Sequence, residues 1–124
     1  MLQKISTNKA PQAIGPYSQA IKFNDMVFTS GQIALDPETM EVVEGDVKVQ
    51  AERVMKNLQA VLEEAGVNFD HVIKTTCFLA DMGDFAAFNE VYGKYITNAP
   101  ARSCVAVKEL PKSVLCEVEV IAHL

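Results

Sequence analysis

Val47-Lys48-Val49-Gln50-Ala51-Glu52-Arg53-Val54-Met55-Lys56-Asn57-Leu58-Gln59-Ala60-Val61-Leu62-Glu63-Glu64-Ala65 is the stretch on which the fold turns. Val47, Ala51, Val54, Met55, Leu58, Val61, Leu62 and Ala65 recur at three- and four-residue spacings, which a 3.6-residue helix gathers into one apolar stripe. Arg53, Lys56, Glu63 and Glu64 fall outside it. Asp46 offers a side-chain oxygen to the free amides of the first turn, and Gly66 accepts the left-handed backbone that closes the last. The result is an amphipathic helix of about five turns. Such a helix needs an apolar surface to lie on.

The flanking segments supply that surface as strands. Val72–Ala80 is rich in β-branched residues and reads as a buried strand, and Phe85, Phe88, Val91, Tyr92 and Tyr95 then mark a second helix with Asp84 placed to cap it. Upstream, Ser18–Phe23 and Met26–Ile33 flank Asn24-Asp25, a pair suited to a tight hairpin, and Asp36-Pro37-Glu38 marks a turn. Leu2–Ser6 fits a short edge strand. Downstream, Ser103–Val107 and Val114–Ala122 are the last two strands, separated by a loop holding Pro111. The order β-β-α-β-α-β-β is that of an α+β subunit, a sheet with two helices packed on one face, because each helix connects one strand to another.

The last strand shows that the other face is not simply wet. Val114, Cys116, Val118, Val120 and Ala122 alternate to one side, while Leu115, Glu117, Glu119 and Ile121 point to the other. A face mixing acids with apolar residues suits partial cover by another subunit beside a cleft.

Composition narrows the function. The 124 residues, 49% hydrophobic and 22% charged, fit one globular domain over 1–124, with no repeat or low-complexity segment to divide it. No apolar run reaches membrane-spanning length, and Met1–Thr7 has neither a secretory core nor a transit-peptide character, so a cytoplasmic protein without membrane association is expected. Three cysteines without a C-x-x-C pair suit a reducing compartment. A net charge of −5 opposes nucleic-acid binding. Phosphate loops and the G-x-S-x-G elbow are absent, and His71 and His123 have no companions at ligand spacing, which disfavours a metal or a histidine-assisted nucleophile.

Of the two arginines, Arg53 lies outside the helical stripe, whereas Arg102 opens a strand behind the small residues Pro100-Ala101. A guanidinium presented there can grip a planar carboxylate through two parallel hydrogen bonds, or form a structural salt bridge. If the last two strands pair as a hairpin, Glu117 or Glu119 approaches Arg102; both acids also fit a solvated sheet face, and the pattern does not choose. Ser30-Gly31 ends a strand where a glycine lets a ligand approach the backbone.

At these residues the chain resembles the RidA (YjgF-type) reactive-intermediate deaminases over nearly its whole length. The matching blocks are Gly15-Pro16-Tyr17-Ser18-Gln19-Ala20, Ser30-Gly31-Gln32-Ile33, Asn57-Leu58 with Ala65-Gly66, Phe88-Asn89-Glu90-Val91-Tyr92, Pro100-Ala101-Arg102-Ser103 and Glu117-Val118-Glu119. The resemblance implies a chorismate-mutase-like subunit with a mixed sheet, forming a homotrimer around a central barrel with active sites between subunits. It implies that Arg102 grips the substrate carboxylate and Glu117 positions the attacking water. Tyr17, Ser30, Gly31 and Asn89 match pocket residues, and Cys104 a position that meets ligand through its backbone.

The implied activity is hydrolysis of short 2-imino acids, 2-iminobutanoate and 2-iminopropanoate, released by pyridoxal-phosphate dehydratases, to 2-keto acids and ammonia, with no cofactor. Ile96, where many members carry an aromatic, and Ala99 depart from the pattern and bear on pocket shape. Other expectations from the same resemblance are a carboxylate-binding or chaperone-like trimer without turnover, and an RNA-directed translation inhibitor, which the charge opposes.

Overall fold

The structure, a computed structural model, describes residues 1–124. Its strands are β1 (Gln3–Ile5), β2 (Ala20–Phe23), β3 (Met26–Thr29), β4 (Val72–Leu79), β5 (Ala101–Ala106) and β6 (Cys116–His123); its helices are α1 (Val47–Glu64) and α2 (Phe85–Tyr95). They form one six-stranded sheet in the order β1-β2-β3-β6-β4-β5, antiparallel except for the parallel pair β4 and β5 that α2 connects. The expected α+β subunit is therefore present, with β1 as the short edge strand.

Every residue of the apolar stripe of α1 is buried, against Cys116, Val118, Val120 and Ala122 of β6 and Phe88, Val91 and Tyr92 of α2. Both helix ends close as their residues require. Val49 N–H donates to Asp46 Oδ1 at 3.1 Å. At the other end Gly66 takes φ +86°, and the amides of Gly66 and Val67 donate back to the carbonyls of Glu63 and Leu62, a Schellman closure. Asn57, fully buried on α1, donates to the carbonyls of Ile33 and Leu35 and so pins the loop after β3 to the helix.

Three expectations need correction, at the cap of α2, in the pairing of the last strands and in the extent of β3. Asp84 precedes α2 but makes no side-chain cap; the neighbouring Asp81 instead accepts from Gly83 N–H at 2.7 Å and closes the short turn before the helix. The last two strands do not form a hairpin, because β4 lies between β5 and β6. A strand joined to β4 through a helical crossover runs parallel to it, and the antiparallel β6 takes the inner side.

Between Phe28↔Ile121 and Gln32↔Val118 the chain after β3 advances four residues while β6 advances three. The extra residue makes a β-bulge, which is why β3 stops at Thr29 and not at Ile33. Thr29 bridges the gap with its side chain, whose Oγ1 accepts from Val120 N–H at 3.0 Å. Bulges re-aim the residues that follow them. Here those residues are Ser30 and Gly31.

Candidate active site

On the face away from the helices, Glu117 projects from β6 between the buried Cys116 and Val118. The bulged segment runs directly beside it, fixed by paired backbone hydrogen bonds between Gln32 and Val118. A Cβ on Gly31 would stand 2.8 Å from the Glu117 carboxyl carbon, closer than real atoms approach, so the absent side chain is what gives the carboxylate its room. Ser30 is held twice: its amide donates to the Gln19 carbonyl at 2.9 Å and its hydroxyl to the Ser18 carbonyl at 2.6 Å.

The loop over this region is tied down by Gln19, whose buried amide donates to the carbonyls of Thr7, Ala10 and Pro11 and accepts from Thr7 N–H. Beneath that loop lies a cavity of about 640 Å³, walled by Tyr17, Ser30, Gly31, Ile33, Lys112 and Glu117 among others. Tyr17 stands largely in the open, at 53% exposure. Burial raises the pKa of Glu117 above the usual carboxylate value, and the charge of Glu119 on the same face adds to the rise.

Arg102 belongs to a second cluster. Asn98 donates to the Val72 carbonyl at 3.0 Å, fixing the turn before β5, and Ala99 there adopts a left-handed φ of +50°. Arg102 stands opposite Thr75 in the β4–β5 register, on the helix side of the sheet. Its Nη1 donates to Asn89 Oδ1 at 2.7 Å, and its guanidinium carbon lies 4.8 Å from the ring centre of Tyr92 and 5.5 Å from that of Phe85. The ion pairs in the structure join Lys48 to Glu90 and Lys94 to Glu52, so Arg102 is not the structural salt bridge that its position also allowed. Cys104 lies two residues on, beside Cys77 in register, and burial pushes its thiol up in pKa.

The candidate residues thus fall into two groups. Tyr17, Ser30, Gly31 and Glu117 come together on one face, and Asn89, Arg102 and Cys104 on the other. Within one chain the groups do not meet. Glu117 stands beside Phe78 and Arg102 beside Thr75, three residues along β4 and two strands across, which places their backbones roughly 14 Å apart at standard strand spacings, with the sheet between their side chains. Tyr92 and Phe85, which approach the guanidinium, belong to the apolar stripe of α2, and Tyr92 also ends the family block that starts at Phe88, but neither signal marks them as partners of Arg102. No group of three or more His, Cys, Asp and Glu side chains converges to hold a metal ion.

The family described as Endoribonuclease L-PSP matches residues 7–124. The chain belongs to this family, the RidA family. A RutC family protein of Synechocystis is 56% identical over 123 residues, covering 97% of this chain and 95% of the relative. The RidA relative named Reactive Intermediate Deaminase A, chloroplastic, of Arabidopsis thaliana is 48% identical over 121 residues, covering 97% of this chain and 65% of its own length. Among solved RidA-family structures, E. coli TdcF with bound serine superposes at a TM-score of 0.93 with 44% identity, covering 98% of each chain. The RidA fold is thereby shown as well as the family. No helix is long and apolar enough to cross a membrane.

Proposed function

We propose that this RidA-family chain hydrolyses short 2-imino acids, 2-iminobutanoate and 2-iminopropanoate, to 2-keto acids and ammonia. The observation that carries the reading is Arg102, a guanidinium held by an amide oxygen and aromatic rings with no carboxylate bound to it. A cation arranged so is ready for an external carboxylate. A relative named as a reactive-intermediate deaminase, and TdcF crystallised with bound serine, an α-amino carboxylate, support the same chemistry.

The separation of Arg102 from Glu117 supports completion of the site by a second copy, and the family resemblance supports a homotrimer whose sheets pack into a central barrel. The face that would be covered carries Phe28, at 41% exposure, beside Ile121 in the β3–β6 register. In the joined site Arg102 from one subunit holds the substrate carboxylate. Glu117 of the neighbour takes a proton from water as the water oxygen bonds to C2, and the C=N electron pair moves to nitrogen. Glu117 then returns the proton to the amine. The C–N bond breaks, and the hydroxyl proton leaves with the ammonia as ammonium. A protonated imine is already electrophilic, so positioning and a base suffice, the base contributing about 10² to 10⁴ in rate. Tyr17, Ser30, Gly31 and Asn89 shape the pocket around the substrate, with the backbone of Cys104. RNA is a poor substrate for a chain of net charge −5.

The test is a coupled assay in which a threonine dehydratase generates the imine in a buffer free of amines and keto-acid appearance is followed. Acceleration over the enzyme-free rate is expected. An unchanged rate sinks the deaminase reading, and ligand binding without acceleration favours a carboxylate-binding protein.

A further inference from the structure

The groups that hold Arg102 have a property in common: none carries a charge. Asn89, on α2, takes Nη1 through its amide oxygen at 2.7 Å. One helical turn further along α2, Tyr92 presents its ring 4.8 Å from the guanidinium carbon. The ring is itself fixed, because the Tyr92 hydroxyl and Thr75 Oγ1 form a buried hydrogen bond of 2.8 Å. Thr75 is fully buried on β4 and lies opposite Arg102 in the ladder. The sheet thus positions the ring, and the ring positions the guanidinium.

This arrangement solves a conflict. An arginine waiting for an anion has to be immobilised, since a flexible four-torsion side chain loses affinity to the entropy of ordering. An acid would immobilise it most strongly, but it would also occupy the fork that the ligand needs and neutralise the charge. An amide oxygen and a π face hold the guanidinium and leave its charge uncompensated.

We infer that Tyr92, locked by Thr75, is a positioning residue for Arg102, and that Asn89 serves as an anchor whose neutrality keeps the guanidinium available to a substrate carboxylate. The inference rests on the carboxylate-binding role given to Arg102 above, and assigns parts to Tyr92 and Thr75 that their burial alone would explain as packing.

The test measures 2-ketobutyrate affinity by calorimetry, with KM and kcat from the coupled assay, for four variants of the full chain beside Arg102→Ala. Asn89→Asp is nearly isosteric and places a carboxylate on the guanidinium; it is expected to weaken 2-ketobutyrate binding by roughly 100-fold while the protein stays folded. Tyr92→Leu removes the π face and is expected to weaken binding by about tenfold, with KM rising and kcat largely kept. Tyr92→Phe keeps the ring but, like Thr75→Val, breaks its lock, and each is expected to weaken binding by roughly threefold, between wild type and Tyr92→Leu; wild-type affinity in both overturns the part given to Thr75.

A purely structural role would lower the active fraction of Tyr92→Leu with KM unchanged, and that result overturns the positioning role. If Tyr92→Leu fails to fold, Asn89→Asp still decides: wild-type affinity there overturns the neutral anchor. Wild-type protein that fails to bind 2-ketobutyrate removes the reading beneath the inference. Wild-type binding that Arg102→Ala abolishes, but Asn89→Asp and Tyr92→Leu leave untouched, removes the inference alone.

Discussion

Glu117 and Arg102 sit in the same sheet under opposite regimes. Glu117 stands on an interior strand, flanked by β4 on one side and the bulged segment on the other, and its surroundings disfavour its charge. Arg102 stands on an edge strand, and its charge is held by an amide oxygen and aromatic rings. The first environment suits a group that must take up and give back a proton. The second suits a group that must stay charged and empty-handed until a ligand arrives. Neither is complete alone, and the sheet that supports both also keeps them apart within one chain.

The sharpest way to break this comparison is to destroy each half in a different copy. Arg102→Ala is expected to weaken 2-ketobutyrate binding by roughly 10²- to 10³-fold and abolish turnover, with Arg102→Lys nearly as poor because the ammonium lacks the two-pronged fork. If sites form between subunits, unfolding Arg102→Ala together with Glu117→Gln and refolding the mixture restores activity, with roughly a quarter of the sites receiving both intact groups in a randomly mixed cyclic trimer. A mixture as dead as its components would place the whole site in one chain.

Glu117→Gln alone separates the regimes by type of loss. Turnover should fall by about 10² to 10⁴ while 2-ketobutyrate still binds. Stability moves the other way. The raised pKa of Glu117 means that its protonated form favours the fold below the unfolded-state value, and that this contribution is lost as pH rises through the folded-state value. At neutral pH Glu117→Gln is therefore expected to melt higher than wild type, and a lower melting temperature would contradict the burial cost assigned to the carboxylate.

A smaller effect is expected at Gly31. Gly31→Ala pushes the Glu117 carboxylate aside, and turnover should drop roughly 10- to 100-fold, as it does when a reacting group is displaced by about an ångström. Unchanged kcat would show that the carboxylate position is not critical. The smallest effect belongs to Glu119→Gln, which removes the lesser cause of the raised pKa. The acid limb of the kcat/KM profile, where activity appears as Glu117 ionises, should move to lower pH with the plateau nearly intact. A larger kinetic loss than in Glu117→Gln would show that the two acids have been assigned the wrong way round.

What the sequence disclosed follows the same division. The stripe of α1 and the alternation of β6 were legible because burial there depends on local period alone, and the family blocks supplied the identity of the candidate residues. The bulge at Ser30-Gly31 was not legible, since a bulge is a mismatch in count between two strands and neither strand contains it by itself. The separation of Arg102 from Glu117 was hidden for a similar reason: nothing in Ala101–Ala106 or Cys116–His123 says that β4 lies between them. The part Tyr92 plays beside Arg102 was not legible, because a ring that packs against a guanidinium and a ring that packs in the core share the same helical spacing.

The strand that comes last in the sequence order is also one that holds the sheet together, since β6 joins β3 on one side and β4 on the other. During synthesis the β1–β3 meander and the β4–α2–β5 unit must therefore wait as two separate half-sheets, each with an unsatisfied edge where β6 will insert. These edges are long-range partners whose closure is slow and whose exposed backbone invites pairing with other chains. A chain truncated before Cys116 would thus be prone to aggregate and to bind holdase chaperones, because it lacks the strand that closes the seam.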